Sequence, residues 1–248
     1  MKSDYGRKFY DERHQKTIDS ARAILSIALD VLPPVTSAVD FGCGVGTWLA
    51  VLQAGGAEQI QGLDGPWVEQ DLLEIPRESF REVNFERPIP LEQRYDLAIS
   101  LEVAEHLPAG AAETFVSSLT AASDFVLFSA AIPHQGGIGH VNEQWPAYWI
   151  DHFAQRGYRA SNFVRRQVWT NPQVLPWYRQ NVILFVRHER APEVGIPHLG
   201  APGHDEVLPL VLPEIYLPKA EQMRSVHGNF KSLLRSIRRG LGWKRGRS

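Results

Sequence analysis

Apolar and polar positions follow two rhythms along this chain. From Thr17 to Leu32, the residues Ile18, Ala21, Ile24, Leu25, Ala28 and Leu32 fall on one helical face. Pro33-Pro34 ends that pattern, because proline restricts its predecessor and cannot continue the helix. Short apolar runs then recur at Val35–Phe41, Glu58–Leu63, Ser79–Phe85, Tyr95–Leu101 and Phe125–Ala130, each of strand length. Helical patterns separate them at Thr47–Ala54, Val68–Leu73 and Ala111–Ala121, and another spans Trp145–Arg156. Two more strand-like runs, Tyr158–Val168 and Asn181–Arg187, close the series. Strands alternating with helices predict an α/β fold: a doubly wound, seven-stranded, mostly parallel sheet. Because no helix is predicted between the last two runs, the final strand is expected to be antiparallel.

The first strand ends in the stretch Ser37-Ala38-Val39-Asp40-Phe41-Gly42-Cys43-Gly44-Val45-Gly46. Glycines at Gly42, Gly44 and Gly46 let the backbone take positive φ and let a ligand approach the main chain closely. A strand, a glycine loop and a helix in that order form a nucleotide-binding unit. The spacing is not the G-x-G-x-x-G of dinucleotide loops, and an acid stands two residues ahead of the first glycine. An anion there suits a positively charged ligand better than a pyrophosphate. Asp64 closes the second strand about twenty residues after the glycines, where an acid reaches ribose hydroxyls.

Composition changes little in this picture and charge changes more. The chain has 248 residues with 44% apolar content, enough for one large α/β domain with appendages. One cysteine excludes an internal disulfide framework and a multi-cysteine zinc site, and Cys43 reads as a small filler of a tight loop. No secretory leader and no membrane-length apolar run are read, so a cytoplasmic protein is expected. Residues 228–248 carry seven Lys/Arg and no acid, which leaves 19 basic against 28 acidic residues in the rest. That acidic body argues against general nucleic-acid binding. Phe230, Leu233, Leu234, Ile237 and Leu241 recur at helical spacing among the tail's basic residues, the pattern of a basic amphipathic helix. Such a helix suits an anionic membrane surface, an acidic partner or packing on the body, and its basic amphipathic character favours peripheral association with an anionic membrane. Between core and tail, Ala191–Pro218 holds six prolines and is expected to be an extended arm. The predicted organisation is therefore a helical segment over 1–34 covering the cofactor site, a core over 35–188, an arm over 189–218 and a basic helix over 219–248.

Asp40-x-Gly42-x-Gly44-x-Gly46 resembles motif I of the class I S-adenosylmethionine (SAM) methyltransferases, and the strand pattern resembles their Rossmann-like sheet. The resemblance covers about Val35 to Arg187. It implies SAM as cofactor, with Asp40, Gly42, Gly44 and Gly46 around it and Asp64 on its ribose. It further implies Asn84 on the adenine amino group, Phe85 over the adenine ring and Leu101 beside the amino-acid part. Asparagine at 84 departs from the family's more frequent aspartate.

Glu102, Glu105 and His106 stand at i, i+3 and i+4, which places them on one face if a helical turn follows the fourth strand. Two carboxylates and an imidazole converging at a strand end are costly unless something positive satisfies them. Such a set suits Mg²⁺, Mn²⁺ or Fe²⁺ better than structural zinc. The loop after the fifth strand supplies His134 and His140 to the same sheet edge. Glu-x-x-Glu-His followed by a histidine resembles the metal site of the small-RNA 3′-terminal 2′-O-methyltransferases, and its first half resembles the ubiquinone-pathway O-methyltransferases. By that resemblance Glu102, Glu105, His106 and His140 are the metal ligands. In a metal-free reading, His140 or His106 is the general base.

His134, Asn142, Trp145, Trp177 and Tyr178 outline an aromatic and amide-lined acceptor pocket suited to polyhydroxylated molecules, while Trp149 reads as core. The Gly136–Pro146 loop resembles bacterial methyltransferases that decorate glycans or secondary metabolites. The leading expectation is a SAM-dependent O-methyltransferase of a small polyhydroxylated acceptor such as a sugar. Alternatives are an RNA 2′-O-methyltransferase, a non-catalytic SAM- or partner-binding protein on the same fold, and a dehydrogenase.

Overall fold

A computed structural model describes the backbone of residues 3–224 and 233. Its contacts divide the chain into two units, residues 1–210 and 211–248. The first unit is built on a seven-stranded sheet of order β3-β2-β1-β4-β5-β7-β6. Its strands are β1 (Ser37–Phe41), β2 (Gln59–Asp64), β3 (Phe80–Glu82), β4 (Leu97–Leu101), β5 (Phe125–Ser129), β6 (Tyr158–Ser161) and β7 (Ile183–Arg187). β1 to β5 pair in parallel, whereas β7 runs antiparallel to both β5 and β6. The predicted α/β doubly wound architecture with its antiparallel strand is therefore present.

Helices cover both faces. α1 (Ser3–Leu29), α2 (Thr47–Ala54), α3 (Ala112–Ala122), α4 (Pro146–Ala154), α5 (Phe163–Val168) and α6 (Pro176–Asn181) complete the unit. On one face Ile24, Leu25, Leu49, Leu97, Leu127 and Leu184 pack together; on the other, Phe41, Phe115, Phe128, Trp149 and Phe153 do. β4 and β5 are buried along their whole length, as expected of strands covered on both faces. Trp149 is core, as its spacing indicates.

In the first unit two expectations need correction. The run Tyr158–Val168 is a strand only to Ser161, and helices α5 and α6 then separate β6 from β7. Ser161 Oγ accepts the Phe163 N–H at 3.1 Å and so helps turn the chain into α5. Arg165 is almost fully buried there, with its Nε donating to Asn162 Oδ1 at 2.6 Å, which masks the helix's amphipathic pattern. The second correction concerns Val68–Leu73, which forms only a single 3-10 turn at Gln70–Leu72 with no buried residue. Only Leu73, at its end, packs against the core, so its apolar spacing has little face to bury.

In the second unit, α7 (Pro213–Arg224) opens inside the stretch expected to be extended, with Pro213 as its first residue and Pro218 within it. The arm before it contains a 3-10 turn at His188–Glu193. The basic amphipathic pattern falls outside the described residues except for Leu233, which is exposed. Among the described residues no helix is long and apolar enough to cross a membrane.

At Gly42, φ is 89°, and a Cβ there would lie 2.3 Å from Val103 Cγ2. Gly42→Ala therefore combines a left-handed residue with overpacking and is expected to cost about 2–4 kcal/mol of stability. Urea denaturation of the purified variant measures this; a loss below about 1 kcal/mol would contradict the close approach.

Candidate active site

The parallel strands end on one edge of the sheet, and the chemistry-bearing residues gather there. β1 ends near Asp40 and leads into the glycine loop. Gly42 and Cys43 donate their N–H groups to Leu63 O, at 2.7 and 3.1 Å, which folds the loop back over the end of β2. That brings Asp64 under the loop. Its Oδ2 accepts the Gly44 N–H at 2.7 Å and its Oδ1 accepts the Gly65 N–H at 2.6 Å. Gly44 has φ 54°, and a Cβ there would meet nothing within 4 Å, so its outer side faces open space. Cys43 is buried, its thiol pushed up by burial and then by Asp40 and Asp64, as befits a filler with no thiolate role.

Two cavities flank this loop and share Gly42. One, about 780 Å³, is lined by Asp64, Trp67, Asn84, Phe85, Glu102 and His106 among others. The other, about 370 Å³, is lined by His14, Thr17, Asp40, Gly44, Leu101 and Tyr178 among others. His14 of α1 pairs with Glu74 at 2.5 Å, which places that helix beside the second cavity. Tyr5, Phe9, Tyr10 and Arg13 lie outside the residues whose side chains are described.

The acids facing these cavities are held away from their ordinary ionisation. Asp40 is raised well above the usual carboxylate range by burial and then by the charge of Asp64. Asp64 is also raised, because burial outweighs the hydrogen bonds from Gly44, Gly65 and Trp67. Asn84 is exposed, and its Oδ1 already accepts the Glu86 N–H at 2.9 Å. Phe85 is buried edge-on against Phe115 with ring centres 5.3 Å apart, while still lining the larger cavity.

The segment after β4 departs from the helical face that its spacing suggests. Glu102 has φ 58°, and only Ala104–His106 turns, as a 3-10 helix. Glu102 therefore lies outside that turn, although its carboxyl stays close enough to Glu105 to raise it. Its Oε1 accepts Asn181 Nδ2 and its Oε2 accepts Gln135 Nε2, both at 3.0 Å. Burial still leaves its carboxyl raised. Glu105, His106 and His140 do converge, with one ligand atom from each within 4.8 Å of the others. The rings of His106 and His140 meet edge to face at 4.9 Å. Glu105 is wholly buried, and neither carboxyl oxygen has a well-formed hydrogen bond to a described residue. Burial, then the charge of Glu102, pushes its carboxyl up to about 9. His106 is lowered by burial and then by His140.

The His140 loop is fastened to this corner through its backbone. Val141 and Asn142 donate their N–H groups to Glu105 O at 2.9 and 3.0 Å, and Gln144 N–H reaches Ala131 O at 3.1 Å. Asn142 is buried with its Oδ1 accepting Gln144 Nε2 at 2.9 Å and its Nδ2 unmatched. His134 is exposed, with φ 68°. Trp145 is 43% exposed at the start of α4. Tyr178 packs edge-on against Trp48 at 5.2 Å and stands 6.0 Å from Trp177 by ring centres. Its phenol is raised to about 12 by burial and then by Glu102. Tyr178 thus belongs to the smaller cavity, whereas His134, Asn142 and Trp145 belong to the loop around His140, and the structure does not gather all five into one pocket.

Three contributors carry no periodic signal in the sequence. Trp67 is 73% exposed, its ring lies over Gly65, and it hydrogen-bonds the Asp64 carboxylate. An isolated tryptophan directly after Asp64-Gly65-Pro66 is the one cue to it. The amides of Gln135, Gln180 and Asn181 form a single network around Glu102. Glu143 is the third: it accepts hydrogen bonds from His134 N–H and Gly136 N–H and meets His140 Nδ1 at 2.9 Å.

Residues 10–124 match a protein family described as a methyltransferase domain. No curated protein matches the sequence. Among solved structures, Streptomyces venezuelae DesVI is similar at TM-score 0.53 and 14% identity, covering 74% of this chain and 97% of that one. The magnesium protoporphyrin IX methyltransferase ChlM of Synechocystis PCC 6803, solved with SAM bound, is similar at TM-score 0.52 and 22% identity, covering 75% of this chain and 86% of that one. The chain is thus of the class I methyltransferase fold, and its residues 10–124 carry a methyltransferase-domain signature.

Proposed function

We propose that the protein is a SAM-dependent O-methyltransferase acting on a hydroxyl of a small polyhydroxylated acceptor. The observation that carries the cofactor half is the Asp64 clamp: a buried carboxylate, fixed by two backbone N–H groups beneath an open glycine loop. Bound there, SAM supplies an electrophilic methyl group on a cationic sulfonium. Gly44, Gly65 and Trp67 fill three of the four lone-pair sites of the Asp64 carboxylate, which leaves one for a ribose hydroxyl. Asp40, raised by burial, gains from a cationic ligand in the neighbouring cavity. Gly44 leaves its outer side bare for close approach, and Trp67 offers an aromatic face beside Asp64.

The acceptor half rests on the corner formed by Glu105, His106 and His140, at the same sheet edge. There His140 takes the proton from the acceptor hydroxyl, so that its oxygen attacks as the stronger nucleophile. Holding that oxygen in line with the methyl group contributes the larger share of the acceleration. The same corner fits a divalent cation. The unmatched oxygens of buried Glu105 stand among two imidazoles, which is a donor set for a metal that would lower the pKa of a bound hydroxyl. Glu105, His106 and His140 would hold it; Glu102, engaged by two amides, supports them from behind.

Calorimetric titration with S-adenosylhomocysteine tests the first half. The wild-type chain is expected to bind and Asp64→Ala to lose at least tenfold in affinity; absence of wild-type binding would refute the reading. Transfer of labelled methyl from SAM to a panel of sugars and polyhydroxylated aromatics, with and without Mg²⁺ or Mn²⁺, tests the second. His140→Ala is expected to lower kcat about 10²–10⁴-fold while leaving S-adenosylhomocysteine affinity unchanged.

Glu105 also makes a stability prediction. Its folded carboxyl lies at about 9 against an ordinary value of 4.5, so the folded chain keeps a proton that the unfolded chain releases. Its contribution is complete below about pH 4.5 and is lost progressively as the pH rises towards 9. Glu105→Gln, neutral throughout, should gain stability over wild type between pH 5 and pH 8. Parallel stability curves for the two proteins in urea would contradict a buried neutral carboxyl.

A further inference from the structure

Within the loop between β5 and α4, one carboxylate gathers three groups. Glu143 Oε2 accepts the His134 N–H at 2.8 Å, and Oε1 accepts the Gly136 N–H at 2.6 Å. The same Oε1 meets His140 Nδ1 at 2.9 Å. Both oxygens are thus acceptors for backbone donors that cannot reverse their role. The hydrogen between Oε1 and the ring then belongs to Nδ1, which leaves Nε2 of the neutral ring with its lone pair free. Nε2 lies 4.0 Å from Glu105 Oε1, too far for a direct hydrogen bond, with His106 edge-on beside the ring. Gly137 makes room for this placement, because a Cβ there would lie 2.1 Å from Nε2.

We infer that Glu143 is a positioning residue: it fixes His140 as the Nδ1–H tautomer and presents Nε2 at the corner shared with Glu105 and His106. The inference deepens the proposed function and rests on His140 being that site's base or ligand. It also explains the loop's shape. One ionised side chain gathers two loop N–H groups and the imidazole, so ring orientation and loop conformation are set together. Burial opposes ionisation of Glu143, but the hydrogen bonds from His140, Gly136 and His134 outweigh it and lower its carboxyl. A partner of this kind on the far nitrogen is how proteins orient an imidazole that must act through the near one, whether towards a proton or a metal.

The test is ¹⁵N NMR of protein labelled in its histidine rings at pH 8, with His140 picked out from the nine histidines by its loss in His140→Gln. Wild-type protein is expected to show Nδ1 protonated and Nε2 bare. Glu143→Ala should move His140 towards the Nε2–H form that the free side chain favours. Glu143→Asp, which keeps the charge on a shorter arm, should retain part of the Nδ1–H population. An Nε2–H ring in the wild type, or an unchanged tautomer in Glu143→Ala, would overturn the inference. Should Glu143→Ala not fold, as a thermal melt shows, Glu143→Gln replaces it. It keeps the size but has one acceptor atom where two are used, so it is expected to mix the tautomers; a single unchanged Nδ1–H form would again overturn the inference. S-adenosylhomocysteine titration of the same samples separates the two claims. A tautomer shift without binding sinks only the functional reading, and binding with no tautomer shift sinks only the role of Glu143.

Discussion

Desolvation of carboxylates at one edge of the sheet is the constraint on which the site depends. Asp40, Asp64, Glu102, Glu105 and Glu143 all stand where parallel strands end, and burial raises each of them or is countered by explicit hydrogen bonds. A buried carboxylate is tolerated only with donors or a positive partner. The chain answers differently at each position. Asp64 receives backbone N–H groups, Glu102 receives side-chain amides, and Glu143 receives both N–H groups and an imidazole. Asp64 and Glu102 stay raised despite these donors, Asp40 and Glu105 are raised as well, and Glu105 has no well-formed partner among the described residues. The two acids left unsatisfied mark the places where a ligand has most to contribute: Asp40 beside the glycine loop and Glu105 beside the histidines.

The parallel core was legible because its signals are local and redundant. β4 and β5 are unbroken apolar runs, α2 spans the predicted Thr47–Ala54, and the glycine loop joins strand to helix at the expected place. The region between β6 and β7 was not legible, for a physical reason. Its helices are six residues each, too short to show a period, and α5 buries an arginine on the face where an apolar residue would be expected. The neutral partners of Arg165 (Asn162 Oδ1 and the carbonyls of Gln180 and Leu208) come from segments far apart in sequence. Only the folded chain shows that this charge has somewhere to go.

The site itself divides along the same line. Asp40, the three glycines and Asp64 could be read together because β1 and β2 are adjacent parallel strands, so spacing along the chain translates directly into position. The set Glu102, Glu105 and His106 was legible as a group but not as a shape. Spacing of i, i+3 and i+4 implies one face only on an α-helix, and the chain here takes a left-handed residue followed by a 3-10 turn. The partners that reassign Glu102 are Gln135 and Asn181, which reach it from two other connections.

That reassignment has a consequence for how the two glutamates divide their work. Glu102 and Glu105 are near enough for the charge of one to raise the other, so ionising both without a cation is unfavourable. Both carboxyls are raised by burial, amides partly offset this at Glu102, and the charge of Glu102 raises Glu105 further, so the pair holds a proton between them. That shared proton lies beside the Nε2 of His140, which faces Glu105. The 4.0 Å between them exceeds a hydrogen bond, and both Glu105 oxygens are closed off from solvent. The corner thus tolerates one negative charge and not two, and a second ionisation there requires a cation beside it.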